Sequence, residues 1–220
     1  MKRRVAKLVG KKVFDIFEEK IPELKEHEML IEMISVGLCH SDIPVYFGTS
    51  CMGVHKNGYE AMVKELVYPM ELGHEPVGRV IRTGKKVTRF QEGDLVTGVA
   101  AGCFATHMIA SENDRWIVIP SMKRPIESCL GEPMMCVANI VQAAAPRLGE
   151  RVAVVGCGFM GLMCIAGLKA ENLGQLTAID FIDNKLELAK KYNVDFAVKK
   201  DKTVAPPKYM VFFKGKDADV

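Results

Sequence analysis

The strongest structural signal in this chain is the run Val152-Ala-Val-Val-Gly156-Cys-Gly158-Phe-Met-Gly161-Leu-Met-Cys164. An apolar, β-branched segment leads into the pattern G-x-G-x-x-G. Residues 162–170 then have helical composition, and a second short apolar run ends at Asp180. This order of strand, turn, helix, strand and acid is typical of the first half of a dinucleotide-binding domain. A glycine-rich turn alone would be weak support for such a domain, but here the strand, the helix and the acid all occur at the expected spacing from it.

Each glycine of the pattern has a separate expected task. Gly156 makes the tight turn, Gly158 lets the backbone approach a pyrophosphate, and Gly161 lets helix and strand pack closely. The helix N-terminus then presents unpaired N–H groups to the phosphates. Asp180 lies 19 residues after Gly161, where a carboxylate accepts hydrogen bonds from an adenosine ribose and repels a 2′-phosphate. The pattern favours NAD over NADP as cofactor.

The composition excludes several classes of protein. Of the 220 residues, 49% are hydrophobic and 26% charged, which is typical of a globular protein. The net charge of +3 comes from basic residues spread along the chain, so we expect no nucleic-acid partner. Long apolar runs and a signal-peptide core are missing from the sequence, which predicts a cytoplasmic protein without a membrane partner. Seven cysteines without a C-x-x-C pair disfavour a disulfide scaffold or a zinc ribbon.

Periodicity predicts two domains, residues 1–130 and 131–220. Residues 1 to about 120 alternate in the strand period and indicate an all-β domain, with one short surface helix at Tyr59–Leu66. Residues 132–145 suit a helix with Pro133 in its first turn, bridging the two domains. A second helix at 184–192 and a third strand at 195–198 complete one half of a dinucleotide-binding domain. The predicted fold class is α/β.

Two further motifs combine metal-ligand residue types. They are Gly37-Leu-Cys39-His40-Ser41-Asp42 and Glu71-Leu-Gly-His74-Glu75. Each alone is unremarkable, since a single cysteine near a strand end is more often a small buried hydrophobe. Together they offer a thiolate, an imidazole and carboxylates, which suit a four-coordinate Zn²⁺ with an open position if the site is catalytic. Glu132 is a candidate for a further carboxylate ligand.

Over residues 1 to about 198 the chain resembles the zinc-dependent medium-chain dehydrogenases of the alcohol, sorbitol and threonine dehydrogenase family. The resemblance implies a GroES-like β-barrel domain, then a Rossmann domain that is incomplete here. The matching residues, in order, are Gly37-x-Cys39-x-Ser41-Asp42, Gly73-His74-Glu75-x-x-Gly78, Gly93-Asp94-x-Val96, Glu132-Pro133, Gly156-x-Gly158-x-x-Gly161, and Asp180 with Lys185-Leu186.

The resemblance also implies roles for the residues of the first domain. Cys39, His74 and Glu75 fall on catalytic zinc positions, and Glu132 falls where sorbitol and threonine dehydrogenases place a second glutamate. Cys136 is a weaker candidate for that place. Ser41 corresponds to the hydroxyl residue that contacts the substrate oxygen and begins the proton relay.

Further roles concern the cofactor. Met160 falls near the nicotinamide cofactor, and Asp180 and Lys185 fall around the adenosine ribose. A solvated helix charge is the alternative for Lys185. The implied reaction moves a hydride from a secondary alcohol, a polyol or a hydroxy-amino acid to NAD, with the substrate oxygen at zinc. A full-length relative is expected to form a homo-oligomer.

The chain departs from the family in three places. Pro44 stands where many members have a relay histidine, which leaves water, His40 or His55 as substitutes. The lobe for a structural zinc is missing, so we expect one zinc at most and a packing role for Cys103. The second half of the Rossmann domain is also missing, which suggests a fragment, a truncated gene product or one part of a split protein.

Two alternatives to the dehydrogenase interpretation remain open. The first is a non-catalytic homologue that binds zinc and the ADP part of NAD. The second is a zinc-free reductase of the quinone oxidoreductase type, which is disfavoured because Cys39, His74 and Glu75 are all present.

Overall fold

The computed structural model describes residues 1–49, 66–120 and 124–200, together with the backbone of residues 212–215. The chain divides into two units, Met1–Glu132 and Pro133–Val220, where the sequence predicted a division between residues 130 and 131. The predicted surface helix at 59–66 lies outside the described residues except for Leu66, and so do Cys51 and His55. Among the described residues, no helix is long and apolar enough to cross a membrane.

The described part of the first unit, residues 1–49, 66–120 and 124–132, consists of antiparallel strands with one short helix and one 3-10 turn. The alternation of apolar and polar residues along the strands predicts this, because successive side chains of a strand point to opposite faces. The helix follows β3 directly and is the exception to the all-β prediction. The elements are β1 (Lys2–Gly10), β2 (Val13–Lys20), β3 (Glu28–Gly37), α1 (Asp42–Tyr46), β4 (Met70–Glu71), β5 (Glu75–Thr83), β6 (Leu95–Gly98), β7 (His107–Ser111), β8 (Trp116–Val118) and the 3-10 turn at Ile126–Ser128.

These strands form two sheets with the orders β2-β1-β4 and β7-β3-β5-β6-β8. The larger sheet packs a hydrophobic core around Met29, Ile31, Val96 and Trp116. Cys103 lies in this core, fully buried, and its Sγ donates to the carbonyl of Ala100 at 2.8 Å. Burial, with a smaller contribution from the charge of Asp42, raises the pKa of the Cys103 thiol to about 12. The predicted packing role of Cys103 is confirmed.

The second unit begins within a helix and continues as an α/β unit. β9, β10 and β11 are parallel, as predicted, and most apolar residues of β9 and β10 are buried because helices pack against the sheet. Each helix and strand from α2 to β11 overlaps its predicted range, with ends shifted by a few residues. The elements are α2 (Gly131–Ala144), β9 (Arg151–Val155), α3 (Phe159–Leu168), β10 (Gln175–Asp180), α4 (Asp183–Lys190), β11 (Phe196–Lys199) and β12 (Phe212–Gly215).

The last strand differs from the prediction. The sheet order is β11-β10-β9-β12, and β12 pairs antiparallel with β9, with Phe212 opposite Val154 and Gly215 opposite Arg151. The sequence analysis did not predict this strand, which pairs along the edge of β9. An unpaired strand edge offers a row of free N–H and C=O groups, and an antiparallel strand fills it without the crossover helix that a parallel strand needs.

A buried carboxylate after β7 ties three segments of the first unit together. Glu112 is 3% exposed, and its carboxylate lies 2.8 Å from Nδ1 of His27 and accepts the backbone N–H groups of Thr88 at 2.8 Å and Arg89 at 3.0 Å. These contacts lower the pKa of Glu112 to about 2, and the contact with His27 has the largest effect. The charged carboxylate thus anchors the start of β3 and the segment after β5.

We expect Glu112→Gln to lower the free energy of unfolding at pH 7. The pKa of Glu112 is lower in the folded chain than its ordinary value near 4.5, so its stabilising effect is complete above that value and is lost as the pH falls towards 2. Urea unfolding between pH 2 and pH 7 should therefore show a difference between variant and wild type that shrinks at acid pH. The exposed Glu92→Gln serves as control; a difference that persists at pH 2 would contradict the assignment.

Candidate functional site

The pairing of β3 with β5 brings the predicted zinc ligands together. Gly37, the last residue of β3, lies opposite Glu75, the first residue of β5. Cys39 follows the end of β3 by two residues, and His74 directly precedes β5. The sulfur of Cys39, a ring nitrogen of His74 and a carboxylate oxygen of Glu75 all lie within 4.8 Å of one another. Residues 35 positions apart in the chain thus form one cluster.

Two glycines make room for this cluster. A Cβ atom at Gly37 would lie 2.0 Å from Oε2 of Glu75, so the Glu75 side chain occupies the space that a larger residue would need. Gly73 has φ +87°, and a Cβ there would lie 2.6 Å from the ring of Phe104. Glycine adopts this left-handed conformation without steric cost. The turn that presents His74 and Glu75 therefore depends on small residues on both sides.

Asp42 orients two of the three candidate ligands. Its Oδ2 accepts the backbone N–H of Cys39 at 3.2 Å, and its Oδ1 lies 3.4 Å from Nδ1 of His74. A carboxylate at Nδ1 favours the tautomer with its proton there, which leaves Nε2 free to bind a metal. The sequence motif contained Asp42 but did not indicate this contact, because it joins residues that are distant in the chain.

The chemistry of this donor set fits zinc. Thiolate, imidazole and carboxylate are zinc ligands, and bonds of about 2.0–2.3 Å place the ligand atoms of a tetrahedral site about 3.5 Å apart. Small side-chain shifts would close the cluster to that spacing. Ser41 lies beside it, exposed to solvent, with Oγ 3.5 Å from Nε2 of His74.

The cluster found among the described residues contains three ligands and does not extend to Glu132. Glu132 lies in the first turn of α2, and both it and Cys136 have interactions of their own. The zinc-binding role of Glu132 stays a prediction, as does that of Cys136. Cys157 and Cys164 are buried, which raises the pKa of each thiol to about 11 and suits packing.

The glycine-rich turn after β9 has the predicted conformation. Gly156 has φ +93°, and Gly158 is the N-cap of α3. A Cβ at Gly161 would lie 1.9 Å from the carbonyl oxygen of Gly156, so α3 approaches the turn as closely as glycine allows. Met160 follows in the first turn of α3 and is partly buried. The free N–H groups at the start of this helix are suitable donors for an anion.

The carboxylate of Asp180 faces this turn. It is 5% exposed and accepts the backbone N–H of Cys157 at 2.8 Å and that of Ile182 at 2.9 Å. Nζ of Lys185 lies 4.0 Å from Oδ2 of Asp180, so this lysine is close to the candidate ribose acid. Asp180 fixes the turn as well as offering a charge, which sequence spacing did not reveal.

We expect Gly37→Ala to weaken zinc binding about tenfold, since displaced metal-site supports typically cost 10–100-fold in affinity. The added methyl group would collide with Oε2 of Glu75 and push this carboxylate out of the cluster. Gly10→Ala is the control, because a Cβ at Gly10 meets no atom within 4 Å. Competition with a chromogenic zinc chelator measures both affinities; equal affinities would show that Glu75 is not a ligand.

Comparisons with known proteins place this geometry in a family. A family model described as the alcohol dehydrogenase GroES-like domain matches residues 25–171, and one described as a protein of unknown function matches residues 174–220. L-threonine 3-dehydrogenase from Bacillus velezensis is 28% identical over 213 residues, which are 84% of this chain and 58% of that protein. D-xylulose reductase A from Aspergillus niger is 28% identical over 207 residues, 80% of this chain and 55% of that protein.

A solved structure has the same fold. The crystal structure of galactitol-1-phosphate dehydrogenase from Escherichia coli matches with a TM-score of 0.70 and 24% identity, over 88% of this chain and 60% of that chain. The chain thus spans less than two thirds of the length of these relatives. It belongs to the alcohol dehydrogenase GroES-like family of zinc-type medium-chain dehydrogenases, with a GroES-like unit followed by an incomplete Rossmann unit.

Proposed function

We propose that this chain provides the zinc site and the ADP-binding half of an NAD-dependent dehydrogenase that acts on a secondary alcohol, a polyol or a hydroxy-amino acid. The observation that carries the proposal is the convergence of Cys39, His74 and Glu75 within 4.8 Å. The relatives named for threonine, xylulose and galactitol phosphate support this substrate class, since all three names denote hydroxylated compounds.

Cys39, His74 and Glu75 would hold the zinc, and Glu132, in the first turn of α2, is proposed as a further carboxylate ligand. A zinc ion in this site supplies Lewis acidity towards the oxygen of the substrate. Oδ1 of Asp42, 3.4 Å from Nδ1 of His74, would favour the tautomer whose Nε2 is free for the metal, and Oδ2 of Asp42 accepts the backbone N–H of Cys39. These contacts fix two ligands before a metal arrives, which lowers the ordering cost of binding.

Ser41 is placed to receive the proton of the substrate hydroxyl. Its Oγ lies 3.5 Å from Nε2 of His74, the ring nitrogen that would bind the metal. Ser41 is exposed, so water can take the proton from it directly. This route needs no titratable group at Pro44, the position where many family members have a histidine. His40, also exposed, remains an alternative acceptor.

The second unit would bind the cofactor through its adenosine half. The N–H groups at the start of α3 suit the pyrophosphate, with Gly156, Gly158 and Gly161 giving the close approach. Asp180 and Lys185 would bind the ribose hydroxyls, and the negative charge of Asp180 disfavours the 2′-phosphate of NADP. NAD would accept the hydride at its nicotinamide, and Met160 would lie near the cofactor.

A second candidate function is binding of zinc and ADP without hydride transfer. One observation favours it: β12 pairs antiparallel with β9, in the position that a parallel strand of the second half holds in a complete Rossmann sheet. A complete cofactor site would require β12 to leave this edge. The two functions differ in whether the natural protein reduces NAD.

An activity panel separates them. The natural protein, loaded with zinc, is assayed for NAD reduction with secondary alcohols, polyols and threonine, while ADP binding is measured by calorimetry. Turnover of one of these compounds supports the dehydrogenase. Binding of zinc and ADP without any turnover supports the second candidate instead.

We expect Cys39→Ala to abolish zinc retention, because the variant lacks the only thiolate of the described cluster. Zinc content per chain after dialysis, measured by atomic emission, should fall from one to near zero. Cys129→Ala is the matched control and should keep its zinc, since the Cys129 thiol contacts only the carbonyl of Pro125 among the contacts described for it. A Cys39 variant with one zinc per chain would exclude this ligand set.

We expect Asp180→Ala to weaken NAD binding and to reduce the preference for NAD over NADP about tenfold, which corresponds to about 1.4 kcal/mol. The variant also leaves two backbone N–H groups without their acceptor, so the ratio of the two dissociation constants is the proper measure. An unchanged ratio would show that Asp180 does not face the 2′ position of the ribose.

A further inference from the structure

A buried hydroxyl joins two segments that carry candidate ligands. Thr97, in β6, is 3% exposed. Its Oγ1 donates a hydrogen bond to the carbonyl oxygen of Pro76 at 2.8 Å and accepts one from the backbone N–H of Gly131 at 2.8 Å. Both the donor and the acceptor capacity of this hydroxyl are therefore used on backbone groups.

The two backbone partners are each next to a glutamate of the proposed site. Pro76 follows Glu75, which lies in the ligand cluster, and Gly131 precedes Glu132. Thr97 is also held by the sheet itself, because β6 pairs with β5 and Val77 lies opposite Thr97. A single side chain thus separates the backbone after Glu75 from the first residue of α2.

The packing around the hydroxyl is tight. A Cβ at Gly131 would lie 2.7 Å from Cγ2 of Thr97 and 3.0 Å from its Oγ1, so the start of α2 lies directly against this threonine. A second contact, from Oγ of Ser35 to the carbonyl of Glu127 at 2.9 Å, holds the preceding 3-10 turn to β3. The helix that contains Glu132 is therefore docked by side-chain hydroxyls.

We infer that Thr97 is a positioning residue for the metal site: it sets the backbone of Glu75 and Glu132 relative to each other without contacting the metal. This inference rests on the proposed function. Valine has nearly the shape of threonine but leaves the Pro76 carbonyl and the Gly131 N–H unpaired in a buried place, which favours a shift of one segment or the other. A metal site tolerates displacements of only about 0.5 Å.

Cobalt(II) is the probe, since its visible absorption reports both binding and coordination geometry. The full chain, freed of metal and kept reduced, is titrated with Co²⁺ against a competing chelator. We expect Thr97→Val to weaken cobalt binding about tenfold and to change the intensity of the visible bands. Thr97→Ser, which keeps the hydroxyl, should restore both towards wild type; a merely structural loss of packing would not be restored by the smaller serine.

Thr177→Val is the matched control. Thr177 is also a strand residue, 1% exposed, but it lies in the second unit and accepts a hydrogen bond from Gln175. Its substitution should leave cobalt binding unchanged. If circular dichroism shows that Thr97→Val does not fold, Gly131→Ala is tested in its place. Its methyl group would push the start of α2 away from Thr97. Wild-type cobalt affinity in that variant would overturn the inference.

The outcomes separate this inference from the proposed function. If the wild-type chain binds no cobalt, or binds it equally after Cys39→Ala, the proposed function fails and the inference fails with it. If wild type binds through Cys39 but Thr97→Val has the same affinity and spectrum, only the role of Thr97 is overturned. Weaker binding in Thr97→Val with recovery in Thr97→Ser supports both.

Discussion

The pairing of β3 with β5 is the constraint on which the proposed metal site depends. The ladder contains two register shifts, between Leu30 and Ile31 and between Met33 and Ser35, and the second cancels the first. The strands therefore end with Gly37 opposite Glu75. This pair has the same register as the pair Leu30 and Arg82, which precedes the first shift. Because side chains alternate between faces, an uncancelled shift of one residue would turn the side chain of Glu75 to the opposite face relative to Gly37 and to Cys39 beyond it. The candidate ligands are joined by backbone hydrogen bonds before any metal binds.

Both units also contain glycines that other groups approach closely. Gly37 lies beneath the carboxylate of Glu75, Gly131 lies against Thr97, and Gly161 lies against the carbonyl of Gly156. In each case a methyl group would collide with a group that the proposed function uses or positions. The lack of room for a side chain therefore explains why glycine occupies these positions. Polar side chains then fix the neighbouring segments. Asp42 lies against His74, Thr97 accepts a hydrogen bond from the start of α2, and Asp180 accepts one from the glycine-rich turn after β9.

Sequence reasoning predicted the features that short-range patterns determine. The spacing of Gly156, Gly158 and Gly161 predicted strand, turn and helix because these residues interact with near neighbours, and alternating apolar residues predicted the strands of the first unit. Register and long-range contacts were not predictable in this way. The contact between Asp42 and His74 and the bridge from Thr97 to Gly131 join distant segments, and the antiparallel pairing of β12 depends on an unfilled edge of β9. The convergence of Cys39 with His74 and Glu75 followed from the family resemblance, since neither motif alone predicts the other's position.

Zinc K-edge X-ray absorption of the natural protein would detect a single zinc held by Cys39, His74 and Glu75. We expect one zinc per chain with one sulfur at about 2.3 Å and nitrogen or oxygen ligands at about 2.0–2.2 Å, and loss of the sulfur in Cys39→Ala. A protein that binds no zinc, or a zinc shell with two or more sulfurs, would contradict this expectation.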